Sequence, residues 1–269
     1  MVKERIVSDF DGVWTDPQQE AVDYSAAFAE KFSQRIGIPL VELSGFMQSA
    51  SEAINKSPGT FGWEYKGMII APATADPYVF NDTVAKETLK ELGYHKDTDK
   101  LIDGLFQACY NLSKPVFREG AREYLEALHN LSNLTIVTNS DTKKVEKKLF
   151  ELFGTEDHGF RVIGNAKKYV VNNRGNWNIE RTTWLSGLPR PVFLRRSEYN
   201  QVLSRQGKID KVLGDIYELD LALPEAKGIY TILIATPTTP PWEVNHYQGH
   251  PNGSAVYNLA DLTEAAVGK

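Results

Sequence analysis

Apolar positions fall into two alternating patterns along most of this chain. Short apolar runs, each long enough for one buried strand, cover about Arg5–Phe10, Leu134–Thr138, Phe160–Gly164, Val212–Gly214, Tyr230–Ala235 and Ala255–Asn258. Between most of them lie stretches with helical spacing: Glu119–Leu131, Ser140–Phe153, Ser197–Arg205 and Tyr217–Lys227. Strands that alternate with helices connect by right-handed crossovers, so the pattern predicts an α/β fold: a Rossmann-like parallel sheet covered on both faces. In such sheets ligands bind beyond the C-terminal ends of the strands. Asp9, Thr138 and Asp215 all fall at those ends.

The alternation breaks between about Pro17 and Ser113. Val22, Ala26, Ala29, Phe32 and Ile36 recur at helical spacing, as Val41, Phe46, Ala50 and Ile54 do less regularly. Asp82 is placed to cap a helix over Thr83–Leu92 that Gly93 stops, and Leu101, Leu105, Ala108 and Leu112 mark another. No strand pair is evident. The span is expected to be an inserted α-helical domain over residues 18–114, the core being 1–17 and 115–269. Pro17 and Pro115 stand at the two hinges.

The first strand leads into Asp9-Phe10-Asp11-Gly12. Two acids one residue apart repel unless a cation joins them or one is protonated. The pattern suits a divalent metal, with one acid as nucleophile and the other as general acid/base. It also occurs in calcium loops and solvated turns. Two further pieces follow in order: Asn133–Ser140 is an apolar strand ending in Thr138-Asn139-Ser140, and Lys211–Asp220 is one ending in Gly214-Asp215, with Asp220 five residues on. Together these resemble the haloacid dehalogenase superfamily of hydrolases and phosphatases. Its signature is D-x-D-G, a strand ending in Thr or Ser, a Lys, then G-D-x(3-4)-D. The resemblance covers the chain apart from the 18–114 insert, which corresponds to the variable helical (C1-type) cap of that superfamily.

The resemblance implies roles. Asp9 is the expected nucleophile, forming an aspartyl-phosphate that water hydrolyses, and Asp11 the expected acid and then base. Asp9, the Asp11 backbone carbonyl and Asp215 are expected to hold Mg2+, with Asp220 either ligating through water, orienting its neighbours or lying on a helix surface. Thr138 is expected to bind phosphoryl oxygens, with Asn139 and Ser140 less clearly so. Ser140 and Asp141 are alternative caps for the next helix. For the phosphate-neutralising cation, Lys167 and Lys168 are favoured over Arg195 or Arg196, although nearly fifty residues separate them from Asp215. That stretch includes Asn172–Asn178, read as a hairpin turn. Trp14, inside the first loop, is a candidate specificity residue with core packing as its alternative. Phe61–Gly67, containing Trp63, reads as a loop of the insert.

The expected function is therefore hydrolysis of a small phosphorylated metabolite, the size limit following from a helical lid over the site. Phosphotransfer, mutase action and dehalogenation are the alternatives of the same chemistry. Asp11 favours phosphoryl transfer, because a halide leaving group needs no proton. A non-catalytic binding protein with this fold is the alternative of another class.

Composition narrows the picture further. With 269 residues, 42% hydrophobic and 24% charged, and a net charge of −5, the chain is that of an ordinary globular protein. Neither a basic run nor an aromatic-basic interleaving suggests nucleic acid, and no apolar stretch reaches the length of a membrane span. The single cysteine, Cys109, allows no internal disulfide and reads as a buried thiol. Met1–Arg5 runs into the first strand without an apolar leader, so a cytoplasmic location is expected. His246 and His250 stand in a Pro-rich stretch, apart from other ligands in the sequence, and do not suggest zinc. The oligomeric state is not legible.

Overall fold

The computed structural model of the chain describes residues 3–268. They divide into two compact units, one of residues 3–16 and 117–268, the other of Pro17–Val116. Among the described residues no helix is long and apolar enough to cross a membrane.

The first unit is built on a six-stranded sheet in the order Gly253–Val256, Tyr230–Ile234, Lys211–Gly214, Arg5–Ser8, Asn133–Val137, Arg161–Ile163. Every neighbouring pair is parallel. Successive side chains in a strand point to opposite faces, and this partitions the core. Ile6, Ile136, Leu213, Ile232 and Ile234 join Leu125, Leu128, Val145 and Leu149 on one face. Val7, Val137, Val212 and Leu233 join Tyr199, Leu203, Tyr217 and Trp242 on the other. A sheet buried on both faces needs apolar residues at consecutive positions, which is why these strands read as unbroken runs.

The chain runs from the Arg5–Ser8 strand to one side of the sheet, then returns to the other side with Lys211–Gly214. The first strand therefore lies at the topological switch point, where adjacent loops diverge and leave a crevice at the C-terminal edge. Helix starts are set by local chemistry. Asp141 accepts from Lys143 N at 2.9 Å and caps Thr142–Phe153. Between Tyr217 and Leu221 the chain makes a π-helical turn before Ala222–Ala226 becomes α-helical. Asn172–Asn178 contains no strand. The short antiparallel pair of this region is Thr182–Thr183 with Val192–Phe193.

The second unit corrects the expectation of an all-helical insert. Gly62–Tyr65 and Met68–Pro72 form an antiparallel hairpin. Lys66 and Gly67 connect them with φ of 52° and 74°, the paired positive values of a type I′ turn. Trp63 and Tyr65 in an aromatic, alternating run were its sequence signal. The helices are Pro17–Glu20, Val22–Ile36, Leu40–Lys56, Pro77–Glu91, Thr98–Ile102 and Leu105–Tyr110. In Val22–Ile36 the buried stripe is Tyr24, Phe28 and Phe32 at i, i+4 spacing, while Val22 is exposed. The helix assigned to Thr83–Leu92 begins earlier, at Pro77, because Asp76 accepts from Tyr78 N and Val79 N. Asp82 lies within it. Leu101–Leu112 splits in two at Gly104, whose φ of 77° interrupts the helix. Cys109 is buried with Phe28, Phe32 and Leu105. Buried Glu20 accepts from Val116 N at 3.2 Å and so joins the two ends of the unit.

Candidate functional site

The site lies beyond the C-terminal ends of the Arg5–Ser8, Asn133–Val137 and Lys211–Gly214 strands. Asp9 N still donates to Leu213 O at 2.9 Å, extending the sheet by one residue before the chain turns. Trp14 N then bonds Phe10 O, closing a helical turn that contains Asp11 and Gly12. Gly12 has φ +81° and a Cβ there would overlap the Asp215 carboxylate, so only glycine allows the loop to approach that acid. A Cβ on Gly214 would overlap the side chain of Asp220.

A lysine is placed by continuation of the sheet pattern past the strand ends. Ala166 N donates to Thr138 O at 2.9 Å, and Lys168 N donates to Asn139 Oδ1 at 2.7 Å. Lys167 has φ +51° and is exposed, while Lys168 is directed inward and only 1% exposed. The Lys168 ammonium lies 2.9 Å from Asp9 Oδ1 and 2.8 Å from Asp220 Oδ1. Of the lysine pair, Lys168 alone reaches the carboxylates; Lys167 is corrected, because the left-handed backbone turns its side chain to the surface.

Arg196 is also not a phosphate-facing cation. Its guanidinium is buried and donates to the backbone carbonyls of Lys168 and Phe193, at 2.5 and 3.2 Å. Burial lowers its pKa to about 10. Arg195 bonds Ile179 O. Arg196 and Asn139 thus hold the main chain of Lys168 on either side, which gives Asn139 a positioning contact through its Oδ1.

Asp220 accepts from Lys168 Nζ on one oxygen and from Ile216 N, at 3.1 Å, on the other. Tyr199 Oη donates to its carbonyl at 2.9 Å. Both carboxylate oxygens accept from protein donors, the orienting role among those expected of Asp220, and the residue also lies with Asp9 and Asp215 in the group of acids that could hold a metal. Trp14 is corrected as well. It is fully buried in the core and its Nε1 donates to Ser8 Oγ at 2.9 Å, which holds the indole away from solvent.

Sequence reasoning missed three contributors. Arg118 donates through Nε and Nη2 to Gly12 O, at 3.0 and 2.7 Å, and its charge reaches Asp215. Ser140, read as a less certain phosphoryl contact or a cap, donates to Asp11 Oδ2 at 2.5 Å. Lys148 is paired with Asp11 Oδ1 at 2.8 Å from the second turn of its helix. Residues separated by more than a hundred positions carry no local signal of such contacts. Thr138 is 2% exposed and its hydroxyl accepts from Ser140 N at 3.1 Å.

The electrostatics favour a cation. Burial is the largest influence on both Asp9 and Asp215 and raises both pKa values, with Asp220 adding to the rise in each. Burial also works against the Lys168 charge, but Asp220 and Asp9 outweigh it, so Lys168 stays protonated. One lysine faces three carboxylates, and the acidic oxygens of Asp9, Asp215 and Asp220 come within 4.8 Å of one another. Buried Asp215 Oδ1 has no hydrogen-bond partner. A buried carboxylate oxygen without a donor, beside another acid, fits a hard dication such as Mg2+, with Asp9 and Asp215 as its holders.

No protein-family model matches the sequence, and no curated protein sequence matches it. Solved structures do share its fold. The candidate HAD-hydrolase YfnB from Bacillus subtilis, solved with magnesium bound, aligns over 100% of both chains at TM-score 0.53 and 16% identity. A candidate phosphoglycolate phosphatase from Lactobacillus delbrueckii subsp. bulgaricus aligns over 100% of both at 0.52 and 15%. The haloacid dehalogenase-like hydrolase SP0104 from Streptococcus pneumoniae aligns over 98% of both at 0.52 and 13%. The chain has the fold of the haloacid dehalogenase-like hydrolases.

Proposed function

We propose that this chain is a magnesium-dependent phosphatase that hydrolyses a small phosphorylated metabolite through an aspartyl-phosphate. The observation that carries the reading is the Asp9–Lys168–Asp220 ion cluster beside the unpartnered Asp215 oxygen, at the ends of adjacent parallel strands. Lys168 opposes the rise that burial imposes on the Asp9 pKa and so favours the carboxylate form that a nucleophile requires. An Asp9 oxygen attacks phosphorus, the bond to the leaving oxygen breaks, and Asp11 delivers a proton to that oxygen. Asp11, now a carboxylate, takes a proton from the water that attacks the phosphorus of the acyl phosphate, releasing phosphate and restoring Asp9. Lys168 and the Thr138 hydroxyl stabilise the charge on the transferring oxygens. Asp9 and Asp215 would hold magnesium, which would supply charge neutralisation during phosphoryl transfer.

Asp11 argues for a leaving group that needs protonation, hence a phosphate ester and not a halide. The Ser140 and Lys148 contacts fix the orientation of the Asp11 side chain on the core unit. Residues 17–116, which follow directly on the loop carrying both acids, are proposed to select the metabolite.

The test uses an aryl phosphate carrying a phosphorus label, with magnesium. Asp9→Asn should accumulate no labelled protein. Asp11→Asn should accumulate it, because a good leaving group departs without a proton while the second step lacks its base. Label on the Asp9 variant would reverse the roles, and turnover unchanged by chelator would remove the metal.

A further inference from the structure

Glu225, His246 and His250 converge on the core unit. Glu225 belongs to the Ala222–Ala226 helix, and His246 closes the Pro241–His246 helix. After that helix Gly249, at φ +72°, turns the chain so that His250 returns beside His246. Their rings lie 4.8 Å apart, tilted by 38°. His246 Nε2 is 3.0 Å from both Glu225 oxygens, and His250 Nε2 is 3.8 Å from Oε1. One ligand atom from each residue lies within 4.8 Å of the others.

We propose that these three residues bind a borderline-soft dication of the zinc class, at a site separate from the Asp9–Asp215 carboxylates. Bonds of about 2.0–2.1 Å in a tetrahedron set neighbouring donors about 3.3–3.4 Å apart. The observed 3.0 and 3.8 Å bracket that spacing, so modest ring and carboxylate rotation closes the set around an ion. Two imidazoles and one carboxylate match the donor preference of zinc or cobalt and differ from the all-oxygen set that suits magnesium. The carboxylate is already oriented, because Tyr217 Oη donates to Glu225 Oε1 at 3.1 Å. The Tyr217 ring packs edge-on against His246, and the Tyr247 ring packs edge-on against both histidines. Glu225, His246 and His250 are 15%, 20% and 22% exposed, which gives an ion and a water ligand access. His250 Nδ1 accepts weakly from Asn252 N at 3.3 Å, so ligation through Nε2 moves the ring proton to Nδ1 and replaces that contact. A bound ion would clasp the helix of Glu225 to that of His246. Tyr217, two residues past Asp215, lies against the same clasp.

Full-length protein stripped of metal and then saturated with Mg2+ is titrated with Co2+, following the visible absorption band, and with Zn2+, following heat and melting temperature. One equivalent should bind, with the intense absorption of four-coordinate cobalt, and zinc should raise the melting temperature. Glu225→Gln and His250→Gln, each checked for folding by circular dichroism, should weaken binding more than about 100-fold, and Tyr217→Phe by roughly 10–100-fold. Asp215→Asn should leave the cobalt spectrum unchanged. Absence of saturable binding would mean a histidine–glutamate ion pair only. That result, or binding that survives both variants and disappears in Asp215→Asn, overturns the proposal.

Discussion

Replacing Lys168 with methionine keeps most of the side-chain volume and removes the one ammonium that faces Asp9 and Asp220. The group is 1% exposed and its partners are 13% and 2% exposed, so solvent cannot take its place. Breaking a buried pair from one side costs about 3–5 kcal/mol, because the remaining charge is stranded. Against a total of about 5–15 kcal/mol for a folded protein, the variant should stay folded at 25 °C with a lower urea midpoint. The deficit should depend on pH with a definite sign. Burial already raises the Asp9 pKa, and Lys168 is the strongest influence lowering it. Without the lysine that pKa rises further, the folded variant binds more protons than its unfolded chain, and stability falls as pH rises through the neutral range. The difference from wild type should therefore shrink toward acid. Turnover should fall by about 10²–10³, the usual loss of one charge-stabilising donor, about 2.7–4 kcal/mol. Urea unfolding at acidic and alkaline pH and phosphate release from an aryl phosphate read both effects. Lys167→Ala, on the exposed side of the same turn, should change either by less than about twofold. An equal loss in Lys167→Ala, or wild-type turnover in Lys168→Met, would refute the assignment.

Gly12→Ala should cost about 1–3 kcal/mol through its φ of +81°. It should also weaken magnesium binding in a calorimetric titration, because the new methyl displaces Asp215. Glu243, fully buried, has its pKa raised by burial from 4.5 to about 8. It stays protonated in the folded chain where the unfolded chain ionises. Its contribution to stability is therefore lost as pH rises from about 4.5 to about 8, and Glu243→Gln should flatten that slope in urea titrations. Trp14→Ala should cost about 3–5 kcal/mol as a core deletion. KM for the aryl phosphate should stay the same, because the indole packs in the core.

The fold class was readable from the chain because a sheet covered on both faces demands consecutive apolar residues, and the strand runs around Ile6, Ile136, Leu213 and Ile232 carry that demand locally. The convergence of Asp9, Thr138 and Asp215 was readable for a related reason: parallel strands put their C-terminal ends on one edge. Which of two neighbouring lysines faces that edge was not readable. Their directions follow from the backbone of this turn, where Ala166 N bonds Thr138 O and Lys168 N bonds Asn139 Oδ1, partners almost thirty residues away. Trp14 followed the same rule, since an aromatic in a loop is equally compatible with solvent or core until Ser8 and the sheet are placed around it. The hairpin at Lys66-Gly67 was missed because its turn lacks the usual asparagine, although positive φ at both positions made the same demand. Arg118, Ser140 and Lys148 acquire their contacts only when distant loops meet. Glu225 and His246 stand 21 residues apart in the chain and 3.0 Å apart in space. Local periodicity records which face of an element is buried. Which side chains meet across elements is decided by the packing of those faces, and only the tertiary structure contains it.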